Sequence, residues 1–141
     1  MTCRWICKVL FFFISIVFLN LLTVPAVFSA ADDVPRITVQ ELKAKMDKGD
    51  DLVVVDVRTG NDYENSKLKI KGAVRISIVK IEDRYKELPK DKEIILYCTW
   101  HNEATSARAA QILLDKGFKK VSALKGGFNA WLDAGYPTEP K

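Results

Sequence analysis

Two stretches of the chain are apolar without alternation: Leu52-Val53-Val54-Val55, which ends in Asp56, and Ile94-Ile95-Leu96-Tyr97, which ends in Cys98. Strands that read this way are covered on both faces, which is the habit of parallel sheets. Ala73-Val74-Arg75-Ile76-Ser77-Ile78 alternates and predicts a further strand, and Lys120-Val121-Ser122-Ala123-Leu124 a last one. Helical spacing fills the intervals. Val39, Leu42 and Met46 share one face behind a Thr38…Glu41 capping box, and Gly49 can end that helix. Gly60 to Glu64 predicts a helical turn, and Ile81 to Leu88 a short charged helix stopped by Pro89. Glu103 to Lys116 carries Ala107, Ala110 and Leu114 on one face before Gly117, and Phe128 to Ala134 is closed by Gly135 and Pro137. Strands alternating with helices predict an α/β fold, a parallel sheet wrapped on both faces. Ligands of such sheets bind beyond the carboxyl ends of the strands. Asp56-Val57-Arg58 and Cys98-Thr99-Trp100 share that edge.

The front of the chain breaks this rhythm. Val9 to Ala31 holds no charge, Arg4 and Lys8 precede it, and Ser29-Ala30-Ala31 puts small residues ahead of Asp32. This is the layout of a secretory signal peptide over residues 1–31. An uncleaved anchor through residues 9–31 is the rival reading, because about 20 apolar residues cross a bilayer. Both place the domain of residues 32–141 outside the cytoplasm, periplasmic or otherwise extracytoplasmic. Removing Arg4 and Lys8 lowers the formal charge from +4 to +2. That mild value argues against a nucleic-acid partner, which needs a clustered basic face.

The same cut removes Cys3 and Cys7 and leaves Cys98 as the one cysteine of the domain. Exported thiols tend to be oxidised, and a leftover one reads either as reactive or as a small buried hydrophobe. The polar residues Thr99 to Asn102 put Cys98 at a loop between a strand and a helix N-terminus. Backbone N–H groups converge in such a loop and favour a thiolate. His101, the only histidine, is either a group that tunes the thiol or an exposed loop residue. One histidine and one cysteine cannot assemble a metal site. Trp100 either lines a partner surface or folds back on the sheet edge, and Asp56 and Arg58 are expected to support the site rather than react.

With these residues in place the sequence resembles a single-domain rhodanese. The resemblance rests on Asp56-Val57-Arg58, Tyr63, Gly72-Ala73, the strand-borne Cys98, and Leu124-Lys125-Gly126-Gly127-Phe128-Asn129-Ala130-Trp131 followed by Gly135-Tyr136-Pro137. It implies a parallel five-stranded sheet with helices on both faces. It also implies a sulfurtransferase without a cofactor, in which Cys98 carries sulfane sulfur as a persulfide from a small donor to a thiol or cyanide-like acceptor. The loop Thr99, Trp100, His101, Asn102, Glu103, Ala104, Thr105 would hold the substrate.

That loop departs from the family pattern. It has no glycine, and Glu103 or Thr105 stands where members carry an arginine. A guanidinium fork is the natural holder of a dianion such as thiosulfate. A neutral small persulfide or a protein persulfide is therefore the expected donor, and Glu103 is expected to repel an anion. A second reading is a catalytically weak rhodanese-fold module that binds a partner through the loop from Cys98 to Ser106. Phosphatase chemistry fits poorly, since Ala104 occupies the position its arginine needs and Arg108 lies too far along the helix.

Overall fold

The computed structural model describes residues 33–100 and 103–141. The leader or anchor expected over residues 1–31, and His101 and Asn102 of the loop, lie outside the described residues. Five strands form one sheet: β1 (Arg36–Ile37), β2 (Leu52–Asp56), β4 (Val74–Arg75), β5 (Glu93–Tyr97) and β6 (Val121–Leu124), in the order β1-β6-β5-β2-β4. Every neighbouring pair is parallel. The helices are α1 (Val39–Lys48), α2 (Gly60–Asn65), α3 (Ile81–Arg84), α4 (Ala104–Asp115) and α5 (Gly127–Asp133).

The two unbroken apolar runs occupy the middle of the sheet, as burial on both faces requires. Side chains alternate along each strand. One set, Val55, Ile94, Leu96 and Cys98, packs with Ala109, Ala110 and Leu113 of α4. The other, Val54, Ile95 and Tyr97, packs with Leu42 of α1 and with Phe128 and Trp131 of α5. Local chemistry sets the helix ends. Thr38 Oγ1 accepts the Glu41 N–H at 3.2 Å while the Glu41 carboxylate accepts the Thr38 N–H at 2.8 Å, so the capping box is complete. Gly49 closes α1 at φ 75°, the left-handed conformation glycine adopts without cost.

Four elements differ from the pattern-based expectation, the first being β1, whose two residues Arg36–Ile37 are too short to carry a pattern of their own. The strand expected over Ala73–Ile78 pairs only at Val74 and Arg75, because β4 is an edge strand and Ser77 turns the chain into a 3₁₀ turn at Ile78–Lys80. The helix expected over Ile81–Leu88 divides into α3 and a second 3₁₀ turn at Tyr85–Glu87. A two-stranded antiparallel ribbon, β3 (Leu68–Ile70) with β7 (Thr138–Pro140), was not expected. Lys67-Leu68-Lys69-Ile70-Lys71 does alternate, but only over five residues, and Thr138-Glu139-Pro140 has no apolar pattern to announce a partner. The pairing forms where the chain end returns, with the Lys141 N–H donating to the Lys67 carbonyl.

Candidate active site

The register pairs Asp56 with Tyr97, so both central strands end level and the turns that follow meet at one edge. The Val57 N–H donates to the Tyr97 carbonyl at 3.0 Å and extends the ladder one step past the sheet. Cys98 is the next residue of that strand. Alternation sends its side chain to the α4 side and the Tyr97 ring to the α5 side.

Cys98 is 5% exposed. Its Sγ lies 3.6 Å from Ser106 Oγ in the first turns of α4 and 3.8 Å from the Trp100 carbonyl oxygen. Among the described residues, these two oxygens are the sulfur's hydrogen-bonding partners. The convergent loop amides expected around the sulfur are not among them, and no described guanidinium is bonded to it. Ser106 Oγ in turn donates to the Glu103 carbonyl at 3.0 Å. Ser106 is fully buried, and from the sequence it is expected only as the end of the partner-binding loop, not as a neighbour of the sulfur. Its signal was there in principle: a hydroxyl on the core face of α4, beside two alanines, is costly unless it has a partner.

The loop is held from beneath by the Gly126-Gly127 turn. The Phe128 N–H donates to the Cys98 carbonyl at 2.7 Å, and the Asn129 N–H donates to the Thr99 carbonyl at 3.3 Å. The first amides of α5, which lack partners within their own helix, thereby satisfy carbonyls that the end of β5 would otherwise leave bare. This contact demands glycine at 127. The φ there is +60°, and a Cβ would stand 2.5 Å from the Cys98 carbonyl oxygen.

Glu103 closes the other end of the loop in a left-handed conformation, φ 53°, as the N-cap of α4. One carboxylate oxygen accepts the Gly126 N–H at 2.7 Å, and the other accepts Arg36 Nε at 2.8 Å. Its charge is thus paired across the loop base. The expectation that Glu103 confronts the substrate as a bare anion has to be revised to a paired one. Ala104 is exposed, Thr105 is half-buried, and Trp100 is 59% exposed.

Asp56 and Arg58 are fully buried and form a scaffold behind the loop. Arg58 Nη2 donates to Asp56 Oδ2 at 2.6 Å and to the Leu68 carbonyl at 3.1 Å, and its Nε donates to the same carboxylate. Tyr97 Oη donates to Asp56 Oδ2 at 2.9 Å and accepts the Ile70 N–H. The guanidinium packs 4.5 Å from the centre of the Phe128 ring, an attractive cation–π arrangement. Burial and the neighbouring Asp56 carboxylate together push the Tyr97 phenol well above the usual tyrosine range. Lys69 of β3 is tied to Glu139 at 3.2 Å and to the Ala73 carbonyl at 2.9 Å.

A cleft of about 380 Å³ opens beside the loop, lined by Arg58, Asp62, Thr99, Trp100, Phe128 and Leu132 among others. Trp100 and Leu132 leave apolar surface exposed at its rim. Cys98 does not line this cleft: its side chain packs on the α4 side, and the cleft meets the loop at Thr99 and Trp100.

Comparison with known proteins agrees with this geometry. Residues 38–134 match the family model described as the rhodanese-like domain. The chain is 31% identical over 104 residues to a sulfurtransferase of Allochromatium vinosum, covering 74% of this chain and 94% of that protein. It is 35% identical over 101 residues, 72% of this chain, to the putative sulfur carrier protein YrkF of Bacillus subtilis, and it spans about half (52%) of that relative's length. Among solved structures, the rhodanese-like domain of an Anabaena protein superposes with a TM-score of 0.65 at 29% identity, covering 76% of this chain and 80% of that one. Sulfurtransferase names among the relatives support sulfur transfer at the level of the family. The strand-end cysteine, the glycine turn that holds its loop and the five-stranded parallel sheet together make this chain a member of the rhodanese-like family.

Proposed function

We propose that this protein is an exported sulfurtransferase that carries sulfane sulfur as a persulfide on Cys98. The observation that carries the reading is the seat of Cys98 at the carboxyl edge of the central strand, in a loop whose carbonyls are bound by α5. A thiolate there attacks the outer sulfur of a donor R–S–SH. The Sγ–S bond forms, the donor's S–S bond breaks, and R–S⁻ leaves with the electron pair. The acceptor, a thiolate or cyanide, then attacks the outer sulfur of the Cys98 persulfide and regenerates the Cys98 thiolate. No net oxidant or reductant is needed.

A neutral small persulfide or a protein persulfide is the preferred donor. Neither Glu103 nor Thr105, the two candidates for the family's arginine position, supplies a cation, and the Glu103 carboxylate is bonded to Arg36 and Gly126. The test is transfer to cyanide, read as thiocyanate, from a small alkyl persulfide and from thiosulfate in parallel. Activity with the persulfide, at least about ten-fold weaker activity with thiosulfate, and none in Cys98→Ser support the proposal. Full activity in Cys98→Ser removes it.

Export is part of the proposal, and its support is the uncharged stretch behind Arg4 and Lys8. An N-terminus at Asp32 in protein recovered from outside the cytoplasm supports cleavage. Retention of the whole chain in the membrane supports the anchor, and recovery of intact chain from the cytosol refutes export.

The exposed Trp100 at the cleft rim favours a second reading, a partner-binding module. Loss of function in Trp100→Ala with full function in Cys98→Ser would select it.

A further inference from the structure

Glu103 is the one described non-glycine residue with a positive φ, 53°. Such a conformation is strained for a side-chain-bearing residue, and surrounding contacts must hold it in place. Five contacts do so here, the first being the Glu103 N–H donating to the Trp100 carbonyl at 3.3 Å. The carboxylate accepts the Gly126 N–H at 2.7 Å and Arg36 Nε at 2.8 Å, with only 12% of the side chain exposed. The backbone carbonyl accepts the Ala107 N–H at 2.8 Å and the Ser106 hydroxyl at 3.0 Å. The same Ser106 oxygen lies 3.6 Å from Cys98 Sγ.

One residue therefore joins β1, the turn before α5, the start of α4 and the sulfur's own neighbour. Gly126 stands two and three residues before the Phe128 and Asn129 amides that bind the Cys98 and Thr99 carbonyls. The Cys98 loop is thus fixed at both ends to the same four-residue segment, Gly126 to Asn129. A charge-assisted bond from a carboxylate to a backbone N–H is stronger than a neutral one, and partial burial shields it from water and salt.

We propose that Glu103 is the positioning residue of this active site: its carboxylate latches the loop to Gly126 and Arg36 and so holds Ser106 against Cys98. Glu103 acts on loop geometry instead of on substrate charge. The role rests on the Cys98 sulfur-transfer reading, but the latch itself is testable without it.

The test compares Glu103→Gly and Glu103→Gln in the full chain. Glycine accepts the positive φ without strain, so Glu103→Gly keeps the backbone while removing the latch. Glutamine retains an oxygen that can accept the Gly126 N–H, and is the conservative rescue. Three quantities are read: melting temperature, the rate of Cys98 alkylation by iodoacetamide followed on the Cys98 peptide, and single-turnover persulfide formation.

In Glu103→Gly, with a melting temperature within a few degrees of the parent, alkylation of the uncovered thiol rises at least five-fold and persulfide formation falls at least ten-fold. Glu103→Gln stays within two- to three-fold of the parent in both rates. Parental alkylation in Glu103→Gly overturns the latch. So does a Glu103→Gln variant as impaired as Glu103→Gly. If the parent chain takes no sulfur from any donor, the sulfur-transfer reading fails instead, and the alkylation comparison still decides the latch. Should Glu103→Gly lose its fold, Arg36→Gln, which removes one of the two carboxylate partners, is read in its place. It is expected to move both rates in the same directions by about three-fold, and parental rates would overturn the proposal.

Discussion

At Gly127 the α5 turn comes so close to the cysteine loop that a single methyl group has no room. A Cβ would meet the carbonyls of Cys98, Thr99 and Trp100 at 2.5, 3.2 and 3.1 Å, on a backbone already at φ +60°. Gly127→Ala is expected to lose roughly 2 kcal/mol or more of stability, from the left-handed backbone alone and then from the displaced loop. Persulfide formation should fall at least ten-fold, checked by thermal melting and single-turnover mass measurements on the same preparation. A variant with parental stability would show that the loop does not rest on this turn. Tyr97 gives a test in pH. Its phenol is buried beside Asp56 and is held protonated above the usual tyrosine value of 10.0. A group whose folded pKa is raised contributes stability that is complete below the unfolded value and lost as pH rises. The parent should therefore lose stability progressively above about pH 10. Tyr97→Phe should start less stable at pH 7, because Asp56 loses a hydrogen bond, and should show a shallower decline above pH 10 in denaturant titrations.

The elements were legible in the sequence to the degree that their own residues determine them. The two central strands could be read because consecutive valines and isoleucines have no other economical home than a doubly covered strand. The α1 boundaries were legible for a local reason, since Thr38, Glu41 and Gly49 satisfy its end groups by themselves. Thr38→Ala should cost about 1 kcal/mol of stability. Persulfide formation should fall only with the folded fraction, because Thr38, although two residues from the Arg36 that bonds Glu103, makes its own cap bonds with Glu41 inside α1. A loss of activity larger than the loss of folded fraction would contradict that separation. The β3–β7 ribbon and the short β4 were not legible, since edge pairing is decided by what the rest of the chain brings alongside. The site divided in the same way. Cys98 and its supporting pair Asp56 and Arg58 stood out by position and chemistry. Ser106 and Arg36 did not, because what makes them part of the site is a contact across 8 residues to the sulfur and one across 67 residues to Glu103.

Across the whole molecule, one decision of topology assembles the site. Parallel pairing of β2 with β5 in register puts Asp56 opposite Tyr97, and everything built on the following residues falls at one edge. Asp56, Arg58 and Tyr97 then form a buried, hydrogen-bonded support behind the loop. Breaking one partner of a buried pair costs about 3–5 kcal/mol, so Asp56→Asn is expected to lower the melting temperature strongly and to lose sulfur transfer only as the folded fraction is lost. Activity per folded molecule that falls far more than stability would give Asp56 a chemical role instead. The central claim is that the Cys98 thiol accepts sulfur. Its most direct test is the intact mass of the fully reduced chain after exposure to sulfane-sulfur donors, with peptide mapping. The account predicts a gain of one sulfur atom on the Cys98 peptide, removed by cyanide and absent in Cys98→Ser. An unchanged mass with a neutral persulfide, a protein persulfide and thiosulfate alike, with Cys98 shown to be reduced beforehand, would contradict it.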